Sequence, residues 1–422
     1  MSACWEAEYA DLAARLPRFA GTARLTLCAF SACIDHLFDL HEVAPRLLSH
    51  ADGRAVAFGE ELRRRAAAGI GGELCVDWPD GPAFLTPLAR ASRLGGTAAQ
   101  AAHSLALLGA PALLALQDRS PAQLALIDRR VQVACGERAL PVEVCPPGEA
   151  SGKLPHFIFE YTEGRAVAGV VPPRSTRVIV RFREEDIDRD PAFVALSTRL
   201  AAVAGAGIVD GFNGLGVDRF AEAASRAMAV VDGWRSAGLP LVHAELGDYP
   251  EPRNRHATLA MVRGRVTSIG MNRHELDVLM PRDEPLDAKA LAVARNLSVP
   301  RMCIHADDWA LAVTRGDPGR ERLALMTGCL LASARAAAGG PTVPTASPAG
   351  ARYGLPPVPS IAAPGWHVVT VASPCLGRPR STIGLGDTFL AGTLLVLGQA
   401  ARDAAPLPAG GPDLLVSSTG DA

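Results

Sequence analysis

The sequence is poor in lysine and in aromatic residues. Only Lys153 and Lys289 of its 42 basic residues are lysines, and Phe, Tyr and Trp together make up 5% of the chain. A bound phosphate group would therefore be held mostly by arginine side chains, backbone amides and metal ions. The formal net charge of −2 gives no reason to expect nucleic acid as a partner.

Cysteine motifs and long apolar runs are also missing. The nine cysteines are scattered and contain no C-x-x-C pair. Neither a zinc site nor a disulfide framework is predicted, and reduced thiols are the simpler interpretation. No apolar run reaches the roughly 20 residues that cross a bilayer, and the N-terminus lacks the features of a signal peptide. We therefore expect a cytoplasmic protein without a membrane partner.

Common nucleotide-binding signatures are absent as well. The sequence contains no G-x-x-x-x-G-K-[ST] phosphate loop, no G-x-G-x-x-G dinucleotide fingerprint, and neither the HRD nor the DFG element of protein kinases. The phosphate-loop NTPase mechanism is thereby excluded. Nucleotide chemistry in this chain must use a different arrangement of glycines and acids.

Short apolar runs alternate with helical stretches rich in Ala, Leu and Arg. This pattern predicts an α/β sandwich, in which a mostly parallel sheet is covered by helices on both faces. The segments predicted to contain its strands are 23–35, 95–116, 206–211, 239–246, 265–272, 299–306 and 367–373. Ligands bind beyond the carboxyl ends of such strands. Four polar residues stand at these ends: Asp35, Glu245, Asn272 and His305.

Two segments differ from the rest in showing the alternation of half-buried strands, namely "HFIFEY" at 156–161 and "TRVIVRF" at 176–182. We predict that they belong to a small β-rich lid domain inserted in the larger α/β domain. The predicted lid comprises 36–85 and 146–180, and the large domain comprises 1–35, 86–145 and 181–402. The stretch 337–365 is predicted to be a long loop, and 403–422 a disordered tail.

The G-x-G-D motif at 384–387 is the strongest local signal for chemistry. Gly384, Leu385 and Gly386 open a helix, so their amides can turn toward an anion. Asp387 at that end could take a proton from an alcohol while the amides stabilise a transferring phosphoryl group. The alternative is that Asp387 only caps the helix and the glycines only form a turn.

Two further motifs place glutamates at strand ends. Asn272 and Glu275 are three residues apart, which also fits a helix-capping box. His243 and Glu245 form an H-x-E motif at the end of a strand, where a lone glutamate is more often solvated. Together, Glu245 and Glu275 would suit a magnesium–phosphate site.

A pair of glycines and an aspartate indicate a substrate side. Gly95 and Gly96 could let a substrate approach the backbone, although this segment taken alone favours a tight turn before an ordinary amphipathic helix. Asp35 directly follows a strand and could accept hydrogen bonds from sugar hydroxyls, but a lone aspartate is weak evidence.

The three motifs stand in the order H-x-E, N-x-x-E and G-x-G-D. In this order, and in flanks such as "SIGMNRHEL", "GLGDTF" and "RLGGTAAQAA", the chain resembles the ADP-dependent glucokinase and phosphofructokinase family, a branch of the ribokinase-like superfamily. The resemblance runs from about residue 25 to about residue 400. It implies a ribokinase-like three-layer sandwich with a lid, Mg²⁺ as cofactor and ADP as co-substrate.

The resemblance also implies roles for individual residues. Asp387 would be the general base, with the amides of Gly384, Leu385 and Gly386 as the anion hole. Glu275 would hold Mg²⁺, with Glu245 in its outer sphere. The residues implied at the sugar and phosphate positions are Asp35, Glu73, Gly95, Gly96, Arg177 and His305, and those implied in support are Asn272 and His243.

These roles predict transfer of a phosphoryl group from Mg·ADP to a sugar hydroxyl, giving AMP. Glucose is favoured as acceptor, because the Glu73 carboxylate would accept sugar hydroxyls and repel a substrate phosphate. Fructose 6-phosphate is the alternative and would need a basic pocket, which Arg165, Arg174 and Arg177 could supply. An ATP-dependent kinase of another small alcohol or nucleoside, and a non-catalytic binding protein, remain open. The oligomeric state is not predicted.

Overall fold

The computed structural model describes residues 2–148, 152–182, 186–281, 283–399 and 416–417. These residues form two sheets, one of 12 strands and one of five. The strands in chain order are β1 Thr26–Ala29, β2 Cys33–Asp39, β3 Gly72–Cys75, β4 Ala91–Gly95, β5 Ala112–Leu114, β6 Gln132–Cys135, β7 Arg138–Pro141, β8 His156–Tyr161, β9 Thr176–Arg181, β10 Ala206–Val209, β11 Leu241–Glu245, β12 Ser268–Asn272, β13 Arg301–His305, β14 Trp309–Thr314, β15 Ile361–Ala363, β16 Trp366–Ala372 and β17 Val416–Ser417.

Helices connect most of these strands. They are α1 Ser2–Gly21, α2 Leu40–Leu48, α3 Gly53–Ala68, α4 Gly81–Leu85, α5 Thr97–Leu108, α6 Pro121–Leu124, α7 Pro191–Leu200, α8 Val217–Ser236, α9 Pro252–Val262, α10 Arg273–Leu279, α11 Leu286–Asn296, α12 Pro318–Ala338 and α13 Leu385–Leu397. In the part of the chain that the structure describes, none of these helices is both long and apolar enough to span a membrane.

The large sheet is parallel through its centre. Its order is β17-β15-β16-β14-β13-β12-β11-β10-β1-β5-β6-β7, and neighbours from β6 to β13 in this order run parallel. Helices α1, α5, α12 and α13 bury one face, and α7, α8 and α11 bury the other. Burial on both faces explains why these strands are apolar throughout. The predicted three-layer α/β sandwich with a mostly parallel sheet is confirmed.

The small sheet has the order β3-β9-β8-β2-β4. One face carries an aromatic cluster that includes Phe38, Phe157 and Phe159, packed under α2 and α3. On the opposite face, Leu37, Ile158 and Ile179 pack against Ile383, which directly precedes Gly384. The small sheet therefore turns this second face toward the start of α13.

The segment 23–35, predicted as one strand, is two strands in different sheets, so that prediction is wrong. Strand β1 pairs with β5 and β10 in the large sheet, whereas β2 pairs with β4 and β8 in the small one. Between them, the Ser31 carbonyl accepts a hydrogen bond from the Ala99 amide (3.1 Å) and the Phe30 carbonyl one from the Asp188 amide (3.0 Å). These partners lie far away in sequence. The apolar run 23–35 therefore gives no sign that the chain passes from one sheet to the other within it.

The small sheet does not follow the predicted lid segments at every strand. Strand β4 at Ala91–Gly95 pairs with β2 in the small sheet, although we assigned 86–145 to the large domain. The division into a large domain and a lid stays a prediction. The predicted loop at 337–365 contains the strand Ile361–Ala363 near its end. The predicted disordered tail, 403–422, lies outside the described residues except for Val416–Ser417.

Candidate active site

The candidate site lies at the carboxyl ends of β11, β12 and β13. Glu245 pairs in register with Gly270, and Asn272 pairs with His305. Because the strands are parallel, their carboxyl ends meet at one edge of the sheet. A Cβ on Gly270 would lie 2.0 Å from Glu245 Oε2. Only glycine at this position leaves room for the Glu245 carboxylate. The sequence motifs contain no sign of this requirement.

The G-x-G-D loop enters this edge from the side. Gly384 has φ +68, and a Cβ there would lie 2.3 Å from Arg335 Nη2. A Cβ on Gly386 would lie 3.1 Å from His305 Cε1. Helix α13 begins at Leu385 with no side-chain cap. Asp387 in its first turn therefore does not act as the helix cap, and the capping alternative for this residue is wrong.

Arg335 supports the loop from behind, and no sequence motif marks it. It is 2% exposed and donates hydrogen bonds to the Ile383 carbonyl (2.9 Å), Gln100 Oε1 (2.9 Å) and Thr388 Oγ1 (3.0 Å). Burial lowers the pKa of Arg335 to about 10, so the guanidinium stays charged at neutral pH. The one sequence feature that could have pointed to Arg335 is an arginine within the mostly apolar, Ala-rich C-terminal half of helix α12.

Two aspartates, Asp387 and the buried Asp210, lie close enough for their charges to interact. Burial raises the pKa of Asp387, against a hydrogen bond with Thr97 and the charge of Arg335. Asp210, which follows β10, was missed by sequence reasoning. Burial raises its pKa to about 7, and the charges of Asp387 and Glu245 act in the same direction. Its position directly after the strand "AGIV" is the same signal that singled out Asp35.

Asn272 and Glu275 form the helix-capping box that their spacing allowed. The Glu275 amide donates to Asn272 Oδ1 (2.9 Å), and the Asn272 amide donates to Glu275 Oε2 (2.9 Å). Asn272 Nδ2 donates to the other carboxylate oxygen at 2.6 Å. Burial raises the pKa of Glu275 to about 7, and the charge of Glu245 acts in the same direction. The capping box thus fixes a carboxylate at the edge where the other acids lie.

Glu245 is the one strongly ionised acid of the group. His243 Nε2 lies 2.7 Å from its Oε2, and His305 Nε2 lies 3.5 Å from its Oε1. Burial opposes ionisation, but the hydrogen bonds from the two imidazoles outweigh it and lower the pKa of Glu245 to about 2. For His305, burial is likewise outweighed by Glu245, and its pKa is raised.

A buried polar chain orients His243 from behind. Its Nδ1 lies 2.8 Å from Ser268 Oγ, and Arg301 Nη1 donates to the same oxygen at 2.8 Å. Because that oxygen accepts from Arg301, the hydroxyl can donate to Nδ1, which leaves the proton of His243 on Nε2 facing Glu245. Arg301 also donates to both carboxylate oxygens of Glu321, at 2.8–3.0 Å.

The acids at this edge are of the chemical type that binds a hard divalent cation. Asp210, Glu245 and Glu275 supply carboxylate oxygens, the ligands that Mg²⁺ prefers. Asp210 Oδ1 is buried and has no hydrogen-bond partner among the described residues. Burial and neighbouring negative charge raise the pKa of Asp210 and Glu275, and a bound cation relieves both effects.

The residues predicted for the sugar side lie on the small sheet and beside it. A Cβ on Gly95 would lie 2.0 Å from Asp35 Oδ1, so this glycine makes room for the carboxylate. Gly96, at φ +88, packs against the Ser31 backbone and precedes α5. Packing within the protein is therefore enough to explain why both positions are glycine. Their role in substrate binding stays a prediction.

Glu73 and Arg177 are not brought together with Asp35. Strands β9 and β8 lie between β3 and β2, which puts Glu73 roughly 14 Å from Asp35 across the sheet. Glu73 Oε1 accepts from Arg181 Nη2 at 3.4 Å, and its amide donates to Asp248 Oδ2 at 3.1 Å. Arg177 lies opposite Glu160 in register.

A polar hollow lies between the small sheet and the segment that leads to the G-x-G-D loop. Its lining residues are Asp39, Arg90, Glu160, Tyr161, Thr162, Arg165, Ser175, Thr176, Pro379, Arg380, Ser381 and Thr382. Arg165 pairs with Asp39 at 2.7 Å, and Arg90 pairs with Glu160. Of the three arginines predicted for a phosphate pocket, only Arg165 lines this hollow.

The family model described as the ADP-specific phosphofructokinase/glucokinase conserved region matches residues 67–355. The chain belongs to this family. The match covers more than half of the sequence, and it includes the H-x-E and N-x-x-E motifs and most of the small sheet. It does not reach the G-x-G-D loop, whose place in the site rests on the geometry above. No curated protein matches the sequence.

Solved structures of ADP-dependent kinases share the fold. An ADP-dependent kinase in complex with fructose 6-phosphate and ADPβS has a TM-score of 0.76 at 18% identity, over 93% of this chain and 98% of that one. A hypothetical ADP-dependent phosphofructokinase from Pyrococcus horikoshii OT3 has a TM-score of 0.69 at 18% identity, over 89% and 98%. A reconstructed ancestor of ADP-dependent phosphofructokinases from Methanosarcinales has 0.68 at 17% identity, over 94% and 98%.

Replacing Arg301 with Met should lower the free energy of unfolding by about 3–5 kcal/mol, because Glu321 would keep an unpaired charge in the core. The double variant Arg301→Met, Glu321→Leu should recover most of that loss, since no buried charge remains. Denaturant unfolding of the two single variants and the double variant measures the coupling. If the losses in unfolding free energy of the two single variants simply add in the double variant, Arg301 and Glu321 do not stabilise each other as a buried ion pair.

Replacing Asp210 with Asn should make the protein relatively more stable as the pH rises. The pKa of Asp210 is about 7 in the folded protein, against about 3.9 in an unfolded chain. The folded state therefore keeps this proton longer, and the wild type loses stability between about pH 4 and pH 7 and no further above that. The variant has no such proton.

The difference in unfolding free energy between Asp210→Asn and wild type should grow by up to about 4 kcal/mol over that interval. Urea denaturation in metal-free buffer at several pH values measures it. Asp218, exposed in the first turn of α8, supplies the control variant Asp218→Asn. A difference for Asp210→Asn that is as flat with pH as the control's would contradict the raised pKa.

Proposed function

We propose that this chain transfers the β-phosphoryl group of Mg·ADP to a sugar hydroxyl, giving AMP and a sugar phosphate. The observation that carries the proposal is the position of Asp387. It lies in the first turn of α13, it is not engaged as a cap, and it shares an edge with Glu245, Glu275 and His305. Membership of the ADP-specific kinase family supports ADP as donor.

Asp387 is the general base in this proposal. Its pKa is raised by burial, which makes the carboxylate a better acceptor for the proton of a sugar hydroxyl. The amides of Gly384, Leu385 and Gly386 open the helix and stabilise negative charge on the transferring group. Arg335 holds the Ile383 carbonyl, so the loop is positioned before the substrates bind.

Charge compensation comes from the opposite wall of the site. Glu275, with Glu245 in the outer sphere, would hold Mg²⁺, whose positive charge offsets the developing charge on the phosphates. His305, whose pKa is raised by Glu245, lies beside Gly386. As an imidazolium it adds a second positive charge next to the loop amides. His243 keeps Glu245 ionised and oriented.

The structure changes the balance between the two acceptors. Glucose was favoured because Glu73 would repel a substrate phosphate, but Glu73 pairs with the buried guanidinium of Arg181. In the hollow beside the G-x-G-D loop, Arg90 and Arg165 pair with Glu160 and Asp39, and Arg380 adds a further positive charge among several hydroxyl groups. A net positive charge with hydroxyl groups suits a phosphate ester. We therefore favour a hexose phosphate, such as the fructose 6-phosphate bound in one structural neighbour, with glucose as the second candidate.

Replacing Asp387 with Asn should lower kcat by roughly 10²–10⁴-fold, the usual contribution of a general base. AMP release from ADP in the presence of Mg²⁺ measures turnover, with an ATP arm beside it. Asp218→Asn, which also alters an acid in the first turn of a helix, should retain full activity. A near-normal rate for a folded Asp387→Asn variant would sink the mechanism.

Replacing Arg380 with Ala should raise KM for fructose 6-phosphate by roughly 10–100-fold, the equivalent of one charged hydrogen bond of 1.5–3 kcal/mol. KM for glucose, which has no phosphate, should not change if glucose is accepted at all. Arg235→Ala, at an exposed arginine in the last turn of α8, is the control. Efficient use of glucose together with an unchanged KM for fructose 6-phosphate in Arg380→Ala would reverse the choice of acceptor.

A further inference from the structure

Three side chains with different metal-binding atoms meet on the small sheet. Cys33 and Asp35 stand two apart on β2, so both project from the same face. His156 pairs in register with Asp35 on the neighbouring strand β8 and shares that face. All three residues are buried, at 3%, 6% and 8% exposed, and their ligand atoms lie within 4.8 Å of one another.

The separations between these atoms match the corners of a metal tetrahedron. Cys33 Sγ lies 3.4 Å from His156 Nδ1 and 3.6 Å from Asp35 Oδ1, and the nitrogen and oxygen are 3.5 Å apart. Zinc binds sulfur at about 2.3 Å and nitrogen or oxygen at about 2.0–2.2 Å, so tetrahedral angles put such ligands about 3.4–3.6 Å apart.

Hydrogen bonds among the three side chains cannot satisfy all of these contacts. The thiol carries one hydrogen and Nδ1 carries at most one, while the ionised carboxylate of Asp35 carries none. Three contacts therefore share two hydrogens at best. A cation set off the plane of the triangle, as in a tetrahedral site, would contact all three atoms at once.

We propose that Cys33, Asp35 and His156 form a binding site for a tetrahedral divalent metal ion of the zinc type. A thiolate, an imidazole and one carboxylate are the donors that zinc prefers, whereas Mg²⁺ takes oxygen ligands. The site is thus chemically distinct from the carboxylates of the large sheet. Three protein ligands leave the fourth corner to a water molecule.

The charges around the cluster are compatible with a cation. The Asp35 carboxylate and a Cys33 thiolate together balance a charge of +2. The nearby ammonium of Lys153 donates to the Ala32 carbonyl (2.9 Å) and to Asp188 Oδ1 (3.1 Å), so its charge is offset by Asp188. Burial raises the pKa of Cys33 to about 11, and the metal itself would displace that proton.

Metal binding would inhibit the enzyme by withdrawing Asp35 from the sugar. This consequence rests on the proposed function, because only there does Asp35 accept hydrogen bonds from sugar hydroxyls. The binding site does not rest on it. Inhibition would be competitive with the sugar, and none of the metal ligands belongs to the carboxylate group at the edge of the large sheet.

Zinc titration of the full chain, freed of metal and competed against a chromophoric chelator, tests the site. We expect one Zn²⁺ per chain at these residues, with affinity at least about 100-fold weaker in Cys33→Ser and in His156→Gln, since even indirect partners of a ligand are worth 10–100-fold. Cys75→Ser, at an exposed cysteine on the other edge of the same sheet, should bind as wild type does.

Cobalt supplies a readout that does not depend on activity. Co²⁺ in the wild-type protein should show the visible bands of tetrahedral geometry and a thiolate-to-metal charge-transfer band, and Cys33→Ser should lose the charge-transfer band while remaining folded by circular dichroism. Equal zinc affinity in wild type and Cys33→Ser, or cobalt spectra without thiolate ligation, would overturn the site.

Kinetics test the inhibition separately. At buffered free zinc, KM for the sugar should rise with no change in the maximal rate, a chelator should restore it, and Cys33→Ser should be active and insensitive to zinc. Zinc bound through Cys33 with no change in KM would overturn the inhibition. An absence of turnover with every acceptor would instead refute the proposed function, and the zinc and cobalt titrations would still decide the metal site.

Discussion

The candidate site depends on one ionised carboxylate, that of Glu245. Burial would neutralise this group, and hydrogen bonds from His243 and His305 keep it charged. His243 is in turn oriented through Ser268 by Arg301, whose own charge is balanced by Glu321. The negative charge of Glu245 in turn contributes to the raised pKa of His305, Asp210 and Glu275. Burial is the larger cause of the raised pKa of Asp210 and Glu275, and the charge of Glu245 adds to it.

The same crowding of acids makes the site costly to fold. Two carboxylates with pKa values of about 7 bind protons at a pH where an unfolded chain would release them. The folded protein therefore gains stability from any positive charge placed among them, whether proton or metal ion. This is the physical argument for the proposed cation, because the free energy that crowding the acids costs in the free protein would be recovered when a cation binds.

Sequence reasoning succeeded where the information is local. The parallel strands, the capping box at Asn272 and Glu275, and the glycine-led start of α13 all follow from short patterns. It failed where a residue's role is set by a distant partner. Arg335 gains its role from a loop 48 residues away, and the raised pKa of Asp210 comes from burial and from the charges of Asp387 and Glu245, which lie far from it in sequence. Glu73 was judged by its own charge, yet Arg181 neutralises it from the next strand, and the break between β1 and β2 is set by helix α5.

The apolar contact of Ile383 with Leu37, Ile158 and Ile179 has a consequence for how the two substrates influence each other. Ile383 is the residue before Gly384, and its carbonyl is the acceptor for Arg335. The sheet that carries Asp35 and the segment that leads to Asp387 are therefore joined through this side chain, and Ser381 Oγ adds a hydrogen bond to Glu160 Oε1 at 3.1 Å. Under the proposed function, a ligand that shifted one would shift the conformational equilibrium of the other, and thermodynamic linkage would make that coupling free energy equal in both directions. Binding of the acceptor and of the donor would then be coupled through packing, with no direct contact between the two ligands required.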